Sequence, residues 1–109
     1  MLFLTKIACA MAIAARDLDA VLSALANPTR RAIVERLLSA HELSAGEIAR
    51  PFRMTSSAIS RHLRVLEEAG IIERRIDRQW RYIHIQPEAL ALAETWLAEQ
   101  RWHRSNNNS

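Results

Sequence analysis

Four side chains in the stretch TSSAISRHLRVLEEAG, Thr55 to Gly70, have the types and spacing to grip a polyanion: Ser57, Ser60, Arg61 and Arg64. On a helix, residues three and four apart share a side, so these four make a short, donor-rich, cationic face. Serine hydroxyls reach phosphates or base edges, and an arginine fork pairs with guanine in the DNA major groove. From Thr55 through Leu66 there are two arginines and no acid; Glu67 and Glu68 come only at the far end. An ordinary solvated helix has a similar outer face, so the flanking elements must separate the two readings.

The stretch itself is built to hold such a face outward. Ile59, Leu63 and Leu66 recur at i, i+4 and i+7 on the opposite side, Thr55 is placed to cap, and Gly70 offers the left-handed residue that stops a helix. Just upstream, Ser44 and Glu47 form a capping box. It opens a short helix through Phe52, with Ile48 and Phe52 facing in and Gly46 and Pro51 weakening it. A short helix, a tight turn and a second helix with a cationic face is the helix-turn-helix arrangement, in which the second helix enters the groove.

Before this unit, Arg16 to Ala26 carries the stripe Leu18, Val21, Leu22 and Leu25. Asn27-Pro28 then supplies an N-cap and a first helical residue for a second helix, which buries Ile33, Leu37, Val34 and Leu38 and leaves Arg30 and Arg31 solvated on its first turn. After Gly70 the period changes to two. IIERRI, DRQ and WRYIHI describe a hairpin with Asp77-Arg78-Gln79 at its tip. A hairpin directly after a recognition helix is a wing, and Arg74, Arg75, Arg78 and Arg81 charge it to lie along phosphates or probe a minor groove. Pro87 starts a last helix with Leu90, Ala93, Trp96 and Leu97 on one arc. One small core cannot cover both this arc and the Leu18 stripe, which predicts that a second copy buries them in a homodimer.

The fold expected is mainly α with a small β-hairpin: helices, a helix-turn-helix, a two-stranded wing and a C-terminal helix. With 109 residues, half of them apolar, one domain is expected over 16–103, with an N-terminal extension at 1–15 and an unstructured polar tail at 104–109. The extension MLFLTKIACAMAIAA is read as an additional helix rather than a signal peptide, its cation Lys6 coming late; Met11 is an alternative start. Cys9 is the only cysteine, which excludes an internal disulfide and fits a reducing cytoplasm. No membrane partner is expected. The formal charge of +3 and pI near 10.0 agree with a polyanionic partner without requiring one.

Other chemistries lack their residues. His41, His62, His84 and His103 are separated by whole elements rather than by a helical turn, so no metal and no cofactor is expected. His62, beside Leu63, is expected as a hydrogen-bonded core or interface histidine. With two glycines there is no phosphate-cradling loop, and no nucleophile has a base and an orienter, so the chain is not expected to be an enzyme.

The segments LSALANPTRRAIVERL, LSAGEIA, SSAISRHLRVLEEAGIIERR and WRYIHI resemble the ArsR-type winged-helix repressors over roughly Leu18 to Trp96. The resemblance implies small bacterial homodimers held by their first and last helices, bound to inverted-repeat operators in double-stranded DNA. It also implies that Ser56, Ser57, Ser60, Arg61 and Arg64 face DNA, with Arg78 at the wing tip. The chain departs from the metal-sensing members: Leu43-Ser44-Ala45-Gly46-Glu47 stands where they carry a Cys-x-Cys, and Glu88, Glu94, Glu99 and His103 form no chelating pair on the last helix. The wing tip also has no glycine. The reading is a dimeric, metal-independent transcriptional repressor whose effector is unspecified. The alternative is a winged-helix module that binds protein instead of DNA.

Overall fold

The computed structural model describes residues 17–107. The N-terminal extension, Cys9, Arg16 and the last two residues lie outside them. Helix α1 covers 17–25 and α2 Pro28–Ala40; strand β1 is Glu42–Leu43. Then follow α3 (Ala45–Ala49), α4 (Ser56–Glu68), β2 (Ile72–Asp77), β3 (Trp80–Ile85) and α5 (Pro87–Asn107). The strands form one antiparallel sheet in the order β1-β3-β2.

The caps form where the residue types call for them. The Asn27 side chain accepts from the Arg30 amide with Pro28 opening α2, and Ser44 and Glu47 exchange reciprocal bonds at the start of α3. Ile33, Leu37, Ile48, Leu63, Leu66 and Ile83 meet in a core that α2, α3, α4 and the sheet enclose.

Four features differ from the sequence expectations. The wing hairpin has a third strand, since β1 pairs with the far edge of β3, Glu42 opposite His84 and Leu43 opposite Ile83. Two residues are too short a run to show a period of two. Helix α3 ends at Ala49, two residues before Pro51, because Pro51 has no amide proton to give the Glu47 carbonyl, which accepts from Arg36 Nη2 instead, and Phe52 is half-buried against the core. Leu38 is 52% exposed rather than buried: α2 presents Ile33, Val34 and Leu37 to the core and turns Leu38 away. The polar tail expected from 104 is instead helical through Asn107, continuing α5, whose residues from Glu94 onward are all exposed.

Candidate nucleic-acid interface

Helix α4 is fixed at both ends and along one side. Thr55 Oγ1 accepts from the Ala58 amide at 3.1 Å. At the other end Gly70 takes φ 77, its amide donating to the Glu67 carbonyl and that of Ile71 to the Leu66 carbonyl, both at 3.0 Å. This pair of bonds is a Schellman motif, and Ile71, fully buried, is its hydrophobic seal. Ile59, Leu63 and Leu66 are buried beneath the helix. Ser56, Ser57, Ser60, Arg61 and Arg64 are all exposed, and their side chains make no hydrogen bond or ion pair among the described residues. No acid occupies the first turn, so the positive end of the helix dipole adds to the arginine field.

Arg50 and Arg53, in the turn that leads into α4, are also exposed and make no side-chain hydrogen bond or ion pair among the described residues, although the Arg50 charge bears on Glu47. Neither belongs to a periodic element, so no sequence spacing singles them out. Their signal was their position: adjacent to the helix N-terminus, in a segment without acids.

The four wing arginines divide into two pairs. Arg74 Nε donates to Glu67 at 2.9 Å, tying β2 to the end of α4. Arg75 grips Glu42 with two bonds, 3.0 and 2.8 Å, and lies 5.1 Å from the Tyr82 ring centre. The hydrogen bond to Arg75 holds the Glu42 carboxyl below its ordinary range, and the same contact raises Arg75 further. These two side chains lock the sheet together. Arg78 and Arg81 have no such partner among the described residues. Asp77 pairs with Trp80, so the wing tip is a two-residue turn, and Arg78 adopts the φ of 59 that a glycine would take there.

Arg31 is exposed, as expected, and Arg30 is half-buried, but both are hydrogen-bonded to the end of α1. Arg30 Nε donates to the Ala24 carbonyl at 2.6 Å and Arg31 to the Leu25 carbonyl at 2.7 Å, so both close the C-terminus of α1, where cations suit the helix dipole. His62 is half-buried with Nδ1 3.3 Å from the Arg30 guanidinium. Burial, then the charges of Arg30 and Arg61, depress its pKa below the ordinary 6.5.

The residues expected at a dimer seam are on α1 and α5. Val21 and Ala93 are already buried by this chain's own core, at 0% and 7% exposure, and so have no surface to offer. Leu18, Leu25 and Leu90 are half-buried; Leu22, Trp96 and Leu97 are exposed, Trp96 at 42% and Leu97 at 57%. Among the described residues no three His, Asp or Glu side chains come together to hold a metal ion.

Residues 25–75 match the family described as a helix-turn-helix domain. The chain is 41% identical over 91 residues to the HTH-type transcriptional regulator Rv2034 of Mycobacterium tuberculosis, covering 83% of this chain and 82% of that protein. It is 32% identical over 77 residues to the transcriptional repressor SdpR of Bacillus subtilis, covering 71% and 84%. The crystal structure of an ArsR family transcriptional regulator superposes with a TM-score of 0.75 at 34% identity, over 83% of this chain and 92% of that one. By sequence, by fold and by the exposed cationic helix at its centre, the chain belongs to the ArsR family of winged helix-turn-helix, DNA-binding transcriptional regulators.

Proposed function

We propose that the protein is a repressor that binds, as a homodimer, an inverted-repeat operator in double-stranded DNA. Helix α4 enters the major groove, with Ser56, Ser57, Ser60, Arg61 and Arg64 toward the bases and phosphates. Arg78 and Arg81 carry the wing onto the flanking backbone or minor groove. Residues 16–103 form the DNA-binding and dimerisation unit, acting in the cytoplasm where the chromosome lies, without catalytic activity. The observation that carries this reading is the outer face of α4 from Ser56 to Arg64: exposed, cationic, without acids, and with no side-chain hydrogen bond or ion pair among the described residues.

The apolar surface of α5 supports the dimer. Its exposed Trp96, Leu97 and Trp102 are large apolar groups on a helix that this chain buries only at Ala89 and Ala93. Arg74 and Arg75, committed to Glu67 and Glu42, support the wing rather than touch DNA in this reading.

Mobility shift and footprinting with the DNA upstream of the protein's own gene test the proposal. Two protected half-sites about 10–10.5 base pairs apart, or a multiple of that, are expected from a two-fold dimer with one α4 in each successive groove. A protein that shifts no DNA from its own locus, while pulling down a protein partner through α4, would replace this reading with that of an interaction module.

A further inference from the structure

Arg30 lies where three helices meet. Its own amide is held by Asn27 Oδ1 at 3.1 Å in the α2 cap, which fixes the start of the side chain. The guanidinium then reaches two other elements. Nε and Nη2 donate to the carbonyls of Ala24 and Ser23, at 2.6 and 3.4 Å, at the end of α1. Nη1 lies 3.3 Å from His62 Nδ1 on α4.

We propose that Arg30 and His62 are a positioning pair that fixes the roll of the recognition helix and couples it to the end of α1. The inference rests on α4 being the element that reads DNA. Ile59, Leu63 and Leu66 hold α4 against the core through non-directional apolar contact, which tolerates a small rotation about the helix axis. A hydrogen bond beside that stripe is directional and restricts it. His62 directly follows Arg61, about 100° around the helix, so a roll that breaks the Arg30 contact also carries Arg61 off its target. Arg30 has its donors turned inward to α1 and His62, which separates this role from that of a phosphate contact.

The contact also selects a protonation state. Arginine has donors and no acceptor, so His62 Nδ1 must be the acceptor, with the ring proton on Nε2 and the imidazole neutral. Protonation would set an N–H and a positive charge against the guanidinium. The charges bearing on His62 are Arg30 from α2 and Arg61 from α4 itself; α1 meets this junction with the carbonyls that Arg30 caps. Because the folded-state pKa is depressed, the neutral form that makes the bond is complete above the ordinary 6.5 and is lost as pH falls through the lower folded value.

The test uses the full chain, the operator fragment that the unmutated protein shifts, and the variants Arg30→Met, His62→Phe, their double, and His62→Asn, whose amide oxygen can replace Nδ1 as an acceptor. Arg30→Met and His62→Phe should each weaken the operator complex about tenfold, or about 1.4 kcal/mol, with the salt slope unchanged. The double variant should be no weaker than the worse single one. His62→Asn should retain most of the affinity and lose the pH dependence that the unmutated protein shows below the ordinary histidine value of 6.5. Additive losses would overturn the pairing. So would a shallower salt slope for Arg30→Met, the mark of a phosphate contact, or a fall in thermal midpoint with unchanged affinity, the mark of a purely structural role. If the unmutated protein shifts no DNA, the DNA reading fails before any variant is made, and this inference falls with it.

Discussion

At the residue scale the two sides of α4 should fail differently. Arg61 and Arg64 are exposed and make no side-chain hydrogen bond or ion pair within the described chain, so Arg61→Ala or Arg64→Ala should leave unfolding curves unchanged and weaken operator binding. A lost base contact costs about 1–3 kcal/mol and relaxes specificity at one position, whereas a lost phosphate contact weakens all sequences and lowers the salt slope by about one. Leu63, 1% exposed beneath the helix, should respond the opposite way. Leu63→Ala should cost roughly 2–5 kcal/mol of stability in urea unfolding, as for a truncated core leucine. The wing gives a second contrast within one element. Arg78→Ala should reduce the salt slope of binding, while Arg75→Ala, which breaks the bond to Glu42, should leave that slope as it was. Equal slopes for both variants would show that the structural division of the wing arginines does not govern DNA contact.

At the element scale, the pose of α4 depends on how it ends. Gly70 sits at φ 77 with open space where a Cβ would be built, so Gly70→Ala has no neighbour to strike and the whole cost is backbone strain. That cost should be about 1–2 kcal/mol in equilibrium unfolding, with the Schellman bonds retained. A loss above that range would mean that the chain after α4 rearranges. The same logic explains the wing. Its sheet is narrow, and β3 is the strand that both neighbours pair with. The ion pairs of Arg74 with Glu67 and Arg75 with Glu42 tie its edges to α4 and β1, so the tip at Arg78 projects from a braced base.

For the whole molecule, α5 sets the expectation. Roughly 21 Å of helix leaves the core after Ala93 with tryptophans exposed, Trp102 at 62%. Sedimentation of the unmutated chain at micromolar concentration should give a dimer, and Trp96→Glu should dissociate it or lower its stability; a monomeric unmutated chain would rule the dimer out. Zinc, cadmium and arsenite should leave operator affinity unchanged. His41 ends α2, His62 is bonded to Arg30, His84 faces Glu73 on the sheet, and His103 packs on Trp102, so four histidines occupy four separate places. Stoichiometric zinc binding that releases DNA would overturn this and point to a site assembled between copies.

What the sequence determined by itself is what lies within a helical turn or two of each residue. The Ile59-Leu63-Leu66 stripe, the caps at Asn27, Ser44 and Thr55, and the stop at Gly70 are local, and a spacing of three or four residues is enough to specify them. The outward face of Ser57, Ser60, Arg61 and Arg64 follows from that stripe alone. The tertiary structure decided which partner each long side chain takes. Arginine reaches carbonyls, carboxylates and rings with equal ease, and sequence spacing carries no information on which lies near: Arg30 found α1 and His62, Arg75 found Glu42 at a separation of 33 residues, and Arg78 found nothing among the described residues. The same holds for β1, whose two residues become a strand because β3 presents an open edge, and for Val21 and Ala93, which a helical pattern marks as apolar without saying whether this chain or a second copy covers them. Periodicity names the buried face; only the fold assigns its neighbour.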